Sequence, residues 1–339
     1  MPESASQTGR RQSAGAVSGK AGRTRPAASP VGRGGSRIEV AGISMSHPQR
    51  VLFPAVQATK LDLARYYEAM ARWVVPHVAD RPLTLVRCPT GVGSDAARRS
   101  ADCFYMKHSK IWAPAPLRRV RIQEKTKLGE YLIADSVEAL VGLVQMDVLE
   151  VHTWNACFSD LERPNRVVID LDPGERVDWR DVVGAARLVR DLLAAIHLES
   201  FVKTTGGRGL HVVVPLKAAV GWDECLDFAR AFAALVVRHQ PALLTDRFAK
   251  SGRRNKILVD YLRNNRTNTS IAAYSTRARP DAPVSTPLSW AELFKTRRPG
   301  FTIATIPGRL ARLKADPWKA YWRADQRLSP ATIRAVEAM

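Results

Sequence analysis

The most informative stretch of this chain is Arg166-Val-Val-Ile-Asp-Leu-Asp-Pro-Gly174, an apolar run that predicts a β-strand. Side chains alternate between the two faces of a strand, so Asp170 and Asp172 share one face while Ile169 and Leu171 point into a core. Two carboxylates on one face repel each other unless a cation holds them. Because Mg²⁺ and Mn²⁺ prefer hard oxygen ligands, the pattern favours a metal site. The simpler alternative is a strand that ends in an Asp-Pro-Gly turn.

A glycine-rich motif further along the chain is Lys203-Thr-Thr-Gly-Gly-Arg-Gly-Leu-His211. Glycine lets a backbone approach a ligand closely or present its N–H groups to an anion. Thr205 and Arg208 add a hydroxyl group and a cation to this loop. His211 alternates away from its apolar neighbours, so we expect it to leave the core face. The motif matches neither of the common nucleotide-binding glycine patterns, and a hairpin turn with an exposed histidine stays open.

A third candidate acid ends the apolar run Ile257-Leu-Val-Asp260, and Arg263 then begins a polar stretch. Asp260 is a candidate metal ligand, and the alternative is an aspartate that caps a turn. The polar stretch suits phosphate contacts or a solvated loop equally. Together, two carboxylates, a glycine loop with a histidine and one further carboxylate are the set that a two-metal nucleotidyl transferase needs.

Charge and length indicate a nucleic-acid partner. The chain has 339 residues, 45% hydrophobic content and a net charge of +20, with 52 Lys and Arg against 32 Asp and Glu. This excess of positive charge favours binding to a polyanionic partner such as nucleic acid. No apolar run reaches the ~18 residues of a membrane-spanning helix. The four cysteines are widely spaced and form no C-x-x-C pair, so we expect neither a zinc site nor a disulfide framework, and this usage fits a reducing cytosol. They are Cys88, Cys103, Cys157 and Cys225.

Composition divides the chain into a tail and a folded part. Residues 1–37 contain seven Lys or Arg, one acid and no aromatic residue, which predicts a disordered basic tail. Residues 38–339 are expected to form the catalytic domain. Within it we expect an N-terminal subregion at 38–150, an acidic-site core at 151–295 and a basic, helical C-terminal extension at 296–339.

Periodicity predicts alternating helices and strands in the folded part. A capping box at Thr59-Lys-Leu-Asp62 opens a helix that Pro76 is expected to end, and residues 88–118 are expected to be irregular. Hydrophobic spacing predicts further helices near 136–148, 179–197 and 222–238, and strands at 83–87, 201–204, 210–214 and 257–260. A hairpin near residue 207 favours antiparallel pairing. The expected fold is therefore α+β, with a mixed or antiparallel sheet that carries the acidic site and is flanked by helices.

The order of short motifs along the chain is similar to that of a known family. The motifs are HPQRVLFP, TKLDLARYYEAMA, RPLTLVRCPTGV, CFYMKHS, EVHTWNA, VVIDLDPGE, KTTGGRGLHVVVPL and VDYLRNNR. In this order the chain resembles the polymerase domain of bacterial DNA ligase D, a branch of the archaeo-eukaryotic primase superfamily. The resemblance implies a primase-polymerase-like fold and a nucleotidyltransferase that uses two Mn²⁺ or Mg²⁺ ions. It also implies that ribonucleotides or deoxyribonucleotides are added at double-strand breaks or gaps during non-homologous end joining.

The resemblance further implies a role for individual residues. The metal-binding, catalytic carboxylates would be Asp170, Asp172 and Asp260. The residues that contact the incoming nucleotide would be His152, Thr205, Gly207, Arg208, His211 and Arg263. The residues that bind the DNA 5′-phosphate and the broken end would be His47, Arg50, Lys60, Phe104, Tyr105 and Lys107.

Three of these positions depart from the family pattern. Thr205 stands where serine is usual, and it keeps the hydroxyl group while adding a methyl group. Arg50 stands where lysine is common, and its guanidinium can bind a phosphate with two N–H groups. His47 stands where asparagine is common, and a mostly neutral imidazole binds an anion weakly.

The partners that the resemblance implies are broken or gapped DNA, nucleoside triphosphates, the bacterial Ku protein and a separate ATP-dependent DNA ligase, with no membrane. The expected location is the bacterial cytoplasm, in association with the nucleoid. The sequence holds no K-x-D-G adenylation motif, so we expect no nick sealing by this chain.

Three other functions stay open. A stand-alone, primase-like polymerase would fill gaps with the same residues, and a catalytically silent protein would bind DNA ends without using them. A phosphatase of the haloacid dehalogenase type also uses an Asp-x-Asp strand. A phosphatase of this type has Thr or Val two residues after the second Asp, where this chain has Gly174.

Overall fold

The computed structural model describes residues 38–93, 103–109, 112–249, 253–297 and 300–339. The expected basic tail at 1–37 lies outside these ranges. The helices within them are α1 (Lys60–Val78), α2 (Val137–Gln145), α3 (Trp179–Ala195), α4 (Trp222–His239), α5 (Trp290–Lys295), α6 (Ile306–Arg312) and α7 (Pro330–Ala338). None of these helices combines the length and the apolar character that crossing a membrane requires.

The strands of the same ranges are short, and three 3₁₀ turns lie between them. The strands are β1 (Glu39–Val40), β2 (Ile43–Ser44), β3 (Val51–Phe53), β4 (Ala58–Thr59), β5 (Leu83–Arg87), β6 (Phe104–Met106), β7 (Arg118–Gln123), β8 (Leu128–Ile133), β9 (Val148–Thr153), β10 (Arg166–Pro173), β11 (Phe201–Thr204), β12 (Leu210–Pro215), β13 (Leu244–Thr245), β14 (Ile257–Asp260), β15 (Ser270–Ile271) and β16 (Pro287–Leu288). The 3₁₀ turns are Phe158–Asp160, Leu262–Asn264 and Tyr321–Arg323.

The acidic strand β10 lies inside a six-stranded sheet with the order β13-β14-β10-β12-β11-β16. It pairs antiparallel with β12 and with β14, while β13 and β14 run parallel. The predicted mixed sheet is therefore confirmed. Ile169 and Leu171 are fully buried in a core that α3 and α4 cover. Asp170 and Asp172 occupy the opposite face, where both line a cavity.

Helix α3 covers the apolar face of this sheet because its apolar residues recur at helical spacing. Val182, Val189 and Leu193 are at most 1% exposed and belong to the same core as β10. Burying each of these side chains stabilises the fold by roughly 1.5–3 kcal/mol. The helix therefore fixes the apolar face of β10, and with it the direction in which the two carboxylates point.

A second sheet, with the order β15-β9-β5-β6, packs with α1 and α2 around a separate core. Strand β9 is its centre and carries His152, and β6 is an edge strand that carries Tyr105. Both side chains line the cavity that contains Asp170. The two sheets therefore bring residues that are distant in the sequence to one site.

The expected helical extension at 296–339 contains α6, α7 and an aromatic segment between them. Trp318 and Tyr321 pack on Phe201 and on the carboxylate face of the central sheet, away from the acids. The indole Nε1 of Trp318 donates to the carbonyl of Val202 at 3.0 Å. Val336 of α7 is 1% exposed and packs in the core of the central sheet. This segment is thus part of the packing around the sheet.

Most of the element predictions are confirmed to within a few residues, but the end of α1 is not. Thr59 caps the helix as expected, with a complete capping box to Asp62. Pro76 lies inside the helix, which continues to Val78. Proline removes one backbone donor, and the next turn survives because the N–H of Ala79 still donates to Val75 O at 2.8 Å.

The prediction that residues 88–118 are irregular is wrong at β6. This three-residue strand pairs antiparallel with β5, with Arg87 opposite Phe104 and Leu85 opposite Met106. Its sequence is too short for a periodic signal, and its pairing partner supplies the order.

Two of the cysteines pair, although the sequence did not lead us to expect a disulfide framework. Cys88 follows β5 and Cys103 precedes β6, and the two form a disulfide with a Cα–Cα distance of 4.2 Å. Adjacent antiparallel strands bring these residues together, which a separation of 15 residues does not reveal. All four cysteines lie in the described ranges, and Cys157 and Cys225 are free thiols.

The buried amide of Asn264 completes the pairing of β10. Strand β14 ends opposite Asp170, so the N–H and C=O groups of Val168 on that side need another partner. The Oδ1 of Asn264 accepts from the N–H of Val168 at 2.8 Å, and its Nδ2 donates to the carbonyl of Val168 at 2.8 Å. Asn264 is 1% exposed. At this position the polar stretch after Arg263 is therefore neither a solvated loop nor a phosphate contact.

We expect Asn264→Ala to lower the free energy of unfolding by about 3 kcal/mol, because it leaves two buried backbone groups unpaired. Urea unfolding followed by circular dichroism measures the change. Asn265→Ala is the matched control, since Asn265 is the half-buried neighbour. An equal loss in the two variants would show that Asn264 does not support β10.

Candidate active site

The register of the central sheet gathers the predicted acids. Asp170 on β10 lies opposite Asp260 on β14 and opposite His211 on β12. Directly opposite residues on one face have Cβ atoms about 4.5–5.5 Å apart. Asp172 lies two residues further along the same face of β10. Three carboxylates and one imidazole therefore occupy neighbouring positions on three adjacent strands.

Arginine side chains neutralise these carboxylates in the structure. Arg263 Nε lies 3.0 Å from Asp170 Oδ2 and 3.1 Å from Asp260 Oδ2. A terminal guanidinium nitrogen of Arg253 lies 3.1 Å from Asp172 Oδ2. In the part of the chain that the structure describes, no group of three or more His, Cys, Asp or Glu side chains is arranged to hold a metal ion. The metal-binding role of the three acids thus stays a prediction.

The three carboxyl groups have different pKa shifts. Burial opposes the ionisation of Asp170, but His211 and Arg263 outweigh it and hold the pKa of that carboxyl well below its usual value. Burial and the nearby charge of Asp170 raise the pKa of Asp172. Burial also raises the pKa of Asp260, against the effect of Arg263. Two of the three acids thus lack full compensation for their negative charge.

The donor set fits divalent cations in place of the arginines. All the candidate ligands are hard carboxylate oxygens on one face, which suits Mg²⁺ or Mn²⁺. The side chain of Asp172 is 55% exposed and that of Arg263 is 40% exposed. Both side chains therefore have room to move when a cation of higher charge takes the place of the guanidinium.

The glycine loop packs directly against the end of β10. A Cβ on Gly209 would lie 2.3 Å from the carbonyl oxygen of Leu171, so a larger residue does not fit there. Gly206 has a φ of +68°, which favours glycine. The Thr205 hydroxyl accepts from the N–H of Gly207 at 3.2 Å. The guanidinium of Arg208 donates to two backbone carbonyls, with its shorter bond to that of Glu175 at 2.9 Å.

The loop and the acids enclose a cavity of about 250 Å³. Every residue predicted to contact the nucleotide lines it, as do Asp170 and Asp172. Two lining arginines escaped the sequence analysis, namely Arg277 and Arg279. The available sequence signal was a pair of basic residues two positions apart, which does not reveal that a turn brings both to the cavity. Arg277 also donates to the carbonyl oxygen of Thr205 at 2.8 Å and so supports the glycine loop.

Glu150 is a further residue that sequence reasoning missed. It is 1% exposed and accepts from the N–H of Ala278 at 2.9 Å. Its carboxylate lies 2.8 Å from His152 Nε2 and 3.2 Å from Arg277 Nε. Glu150 therefore orients one histidine and one arginine of the cavity. The Glu-x-His spacing on one face of β9 was the only sequence signal for this contact.

Both histidines of the cavity are neutral near pH 7. Burial lowers the pKa of His152, although Glu150 acts in the opposite direction. Burial and the nearby Lys203 lower the pKa of His211 to about 4. His211 is 2% exposed, so it leaves the apolar core without becoming exposed to solvent. These imidazoles can exchange hydrogen bonds with a ligand without adding positive charge.

The predicted end-binding cations meet at the C-terminal turn of α2. Lys60 Nζ lies 2.8 Å from Asp147 Oδ1 and donates to the carbonyl of Gln145 at 2.9 Å. Arg50 pairs with the same Asp147 oxygen. Arg87, which sequence reasoning did not select, donates through Nε to the carbonyl of Met146 at 2.6 Å. Helix C-termini attract cations, so this turn collects three of them.

The exposed aromatic pair on β6 lies between these cations and the acidic cavity. Phe104 is 45% exposed, and the guanidinium carbon of Arg87 lies 5.6 Å from its ring centroid. Tyr105 is 59% exposed, and its ring centroid lies 6.0 Å from that of His152. Lys107 is directed instead to Glu124, at 3.4 Å. For the predicted residue His47, the structure shows a left-handed backbone with a φ of 52°.

Comparison with known proteins identifies the family. Residues 59–318 match the family model described as LigD, primase-polymerase domain. The multifunctional non-homologous end joining protein LigD of Pseudomonas aeruginosa is 40% identical over 312 residues, which are 89% of this chain and 36% of that protein. The corresponding LigD protein of Mycobacterium tuberculosis is 36% identical over 259 residues, which are 74% of this chain and 33% of that protein. The chain thus spans about a third of the length of these relatives.

A solved structure has the same fold. The polymerase domain from Mycobacterium tuberculosis ligase D, determined in complex with DNA, superposes with a TM-score of 0.75 at 32% sequence identity. The match covers 83% of this chain and 99% of that chain. The α+β, primase-polymerase-like fold expected from the sequence is therefore confirmed.

We expect millimolar Mn²⁺ to raise the melting temperature of the wild-type protein by about 3–6 °C, because a bound cation stabilises the folded state by mass action. Asp260→Asn removes one proposed ligand and also some like-charge repulsion, so this variant should lose most of the shift. Differential scanning fluorimetry measures the melting temperature of each protein with and without Mn²⁺. Asp227→Asn, at a side chain on α4 that is 65% exposed, is the control and should keep the shift. An unchanged shift in Asp260→Asn would remove Asp260 from the metal site.

Proposed function

This chain belongs to the LigD primase-polymerase family, and we propose that it is a nucleotidyltransferase that extends DNA ends at double-strand breaks or gaps in non-homologous end joining. The observation that carries the proposal is the register that places Asp260 and His211 on either side of Asp170. A glycine loop and several arginines complete the cavity around them. A cavity with carboxylates on one side and cations on the other suits a triphosphate with divalent metal ions.

Asp170, Asp172 and Asp260 are the proposed ligands of two Mn²⁺ or Mg²⁺ ions. When bound, these ions supply activation of the primer 3′-hydroxyl and neutralise charge on the triphosphate. Ions held there would offset the burial and the nearby charge of Asp170 that raise the pKa of Asp172. The side chain of Arg263, which is 40% exposed and pairs with Asp170 and Asp260, would then be available to a phosphate oxygen.

The glycine loop is the proposed cradle of the triphosphate. Its close approach to β10 leaves space beside the acids, and Arg277 holds the loop through the carbonyl of Thr205. The Thr205 hydroxyl and the N–H groups of the loop offer hydrogen bonds to phosphate oxygens. Neutral His152 donates its Nε2 proton to Glu150 and lines this side of the cavity without adding positive charge. These groups position the triphosphate for displacement at its α-phosphate.

Arg50 and Lys60 are the proposed site for a 5′-phosphate at the far side of the gap. Asp147 carries one negative charge and already pairs with both cations. A dianionic terminal phosphate competes better for them than a backbone phosphate with a single charge. The side chain of Arg50 is 28% exposed whereas that of Lys60 is 1% exposed, so a phosphate reaches Arg50 first. The aromatic pair Phe104 and Tyr105 would then meet the template base at the break.

DNA with a break or gap and nucleoside triphosphates are the proposed substrates. The named function of the relatives in end joining and the DNA complex of the solved relative support this choice. We further propose Ku and a separate ATP-dependent ligase as partners, and the bacterial cytoplasm and nucleoid as the location. The gathering of all three acids in one site argues against a catalytically silent end-binding protein.

Asp172→Ala should lower nucleotide addition by at least about a hundredfold, because it removes a proposed metal ligand without touching the DNA contacts. The assay follows extension of a duplex with a 3′-overhang by radiolabelled nucleotides in the presence of Mn²⁺. Binding of the same duplex, measured by fluorescence anisotropy, should stay within about twofold of the wild-type value. Asp227→Ala serves as the control on the exposed face of α4. Extension by Asp172→Ala at the wild-type rate would rule out the metal role.

The wild-type protein should bind a recessed end with a 5′-phosphate about tenfold more tightly than the same end with a 5′-hydroxyl, because charge-assisted contacts to Arg50 and Lys60 form only with the phosphate. Lys60→Met should remove most of this difference. Arg72→Met, at an exposed position further along α1, is the control and should keep it. Equal binding of the two ends by the wild-type protein would show that Arg50 and Lys60 do not bind the 5′-phosphate.

A further inference from the structure

The exposed aromatic strand β6 is anchored at its C-terminal end, where Met106 is 8% exposed in the core of the second sheet and the N–H of Ser109 donates to the carbonyl of Glu130 at 2.9 Å. In the described ranges the strand lies at the edge of its sheet and pairs with β5 alone. The pairing ends with Arg87 opposite Phe104. The N-terminal end of so short an edge strand frays at little cost unless something closes it.

The disulfide between Cys88 and Cys103 lies at the next pair of positions in the register of β5 and β6. Cys88 directly follows Arg87, and Cys103 directly precedes Phe104. The covalent bond therefore closes the end of the strand pair that carries the contact between Arg87 and Phe104. Without it, the N-terminal end of β6 would have no covalent link to β5, and Phe104 would be held there by its backbone pair and by its contact with Arg87.

The two sulfur atoms differ in their access to solvent. Cys88 is fully buried, whereas Cys103 is partly exposed. A small thiol or disulfide reagent therefore reaches the sulfur of Cys103 first, and Cys88 is the second partner in the exchange. Neither cysteine lines the proposed catalytic cavity. The backbone N–H of Cys88 donates to the carbonyl of Asp147 at 2.9 Å, so the disulfide lies beside the residue that pairs with Arg50 and Lys60.

We propose that Cys88 and Cys103 are a reversible oxidation site that controls how firmly the aromatic strand β6 is held at the DNA end. This inference rests on the proposed function, since it assigns the DNA end as the ligand of Phe104 and Tyr105. In the disulfide form, both side chains keep their positions beside Arg87 and His152. In the dithiol form, the N-terminal end of the strand frays, and Phe104 loses its fixed position beside Arg87.

The chemistry is thiol–disulfide exchange with a small disulfide oxidant such as glutathione disulfide. The thiolate of Cys103 attacks one sulfur of the oxidant, which releases one glutathione thiolate and leaves a mixed disulfide. The thiolate of Cys88 then attacks the Cys103 sulfur and releases the second glutathione. Two protein thiols thus lose two electrons and two protons, and one glutathione disulfide becomes two glutathione molecules. A dithiol such as dithiothreitol reverses the reaction.

The test compares the full chain after equilibration with glutathione disulfide and after treatment with dithiothreitol. Differential alkylation and mass spectrometry should find Cys88 and Cys103 blocked together only in the oxidised sample. Hydrogen exchange at residues 103–109 should be faster in the reduced form, while exchange in β10 stays unchanged. Affinity for a recessed duplex with a single-stranded template overhang should be about fivefold lower in the reduced form, as expected for the loss of aromatic and cation–π contacts.

Two variants sharpen the comparison. Cys103→Ser should behave as the reduced form under both conditions, and Cys88→Ser should do the same if folding of the first variant is impaired. Cys157→Ser, at a free cysteine outside the strand pair, should respond as the wild type does. Reduced and oxidised forms with the same exchange at 103–109, or failure of the two cysteines to pair under oxidation, would overturn the inference.

Failure of the proposed function gives a different result. If neither form bound or extended DNA, the assignment of the DNA end as the ligand would fail, and hydrogen exchange alone would decide whether the disulfide holds β6. If both forms bound the duplex equally while exchange at 103–109 differed, the disulfide would hold the strand without controlling end binding, and the inference would be wrong.

Discussion

The structure is organised by one electrostatic constraint, which is the repulsion among three carboxylates on one face of a sheet. Asp170 lies beside Asp260 through strand register, and Asp172 is two residues away. Carboxylates at such spacing need positive charge within a few ångströms. Arg263 and Arg253 supply it here. The same demand makes the site suitable for divalent cations, which carry more charge than a guanidinium.

The packing of the fold serves this arrangement. Helices α3 and α4 cover one face of the central sheet, so the carboxylates are forced to the other. Asn264 completes the backbone pairing of β10 where β14 ends, and the glycine loop closes against the end of the same strand. The second sheet then adds His152 and Tyr105 from a different part of the chain. Each neighbour of β10 therefore either fixes the acids or contributes a side chain to their cavity.

The proposed recognition of a DNA end would use two groups of residues that one short strand joins. The cations at the C-terminal turn of α2 are held by Asp147 and by backbone carbonyls. The acidic cavity lies at the other side of β6, whose Phe104 contacts Arg87 and whose Tyr105 lies near His152. The position of β6 therefore sets the relation between the proposed phosphate site and the proposed nucleotide site. Its covalent closure by Cys88 and Cys103 acts at this link.

Local rules of the chain were enough for the strands β5, β10, β11, β12 and β14, for the helices α1, α2, α3 and α4 and for the direction of Asp170 and Asp172. Alternation, periodicity and the capping box act between near neighbours, so they are visible in the sequence. They also selected Asp260, His211 and the glycine loop as chemistry-bearing residues. They could not reveal that Glu150 orients His152 and Arg277, that Asp147 pairs with Arg50 and Lys60, or that Cys88 meets Cys103. Those contacts join residues from different elements or across a strand pair. Only the three-dimensional packing of the elements sets such distances, because no local preference encodes which strand becomes the neighbour of another.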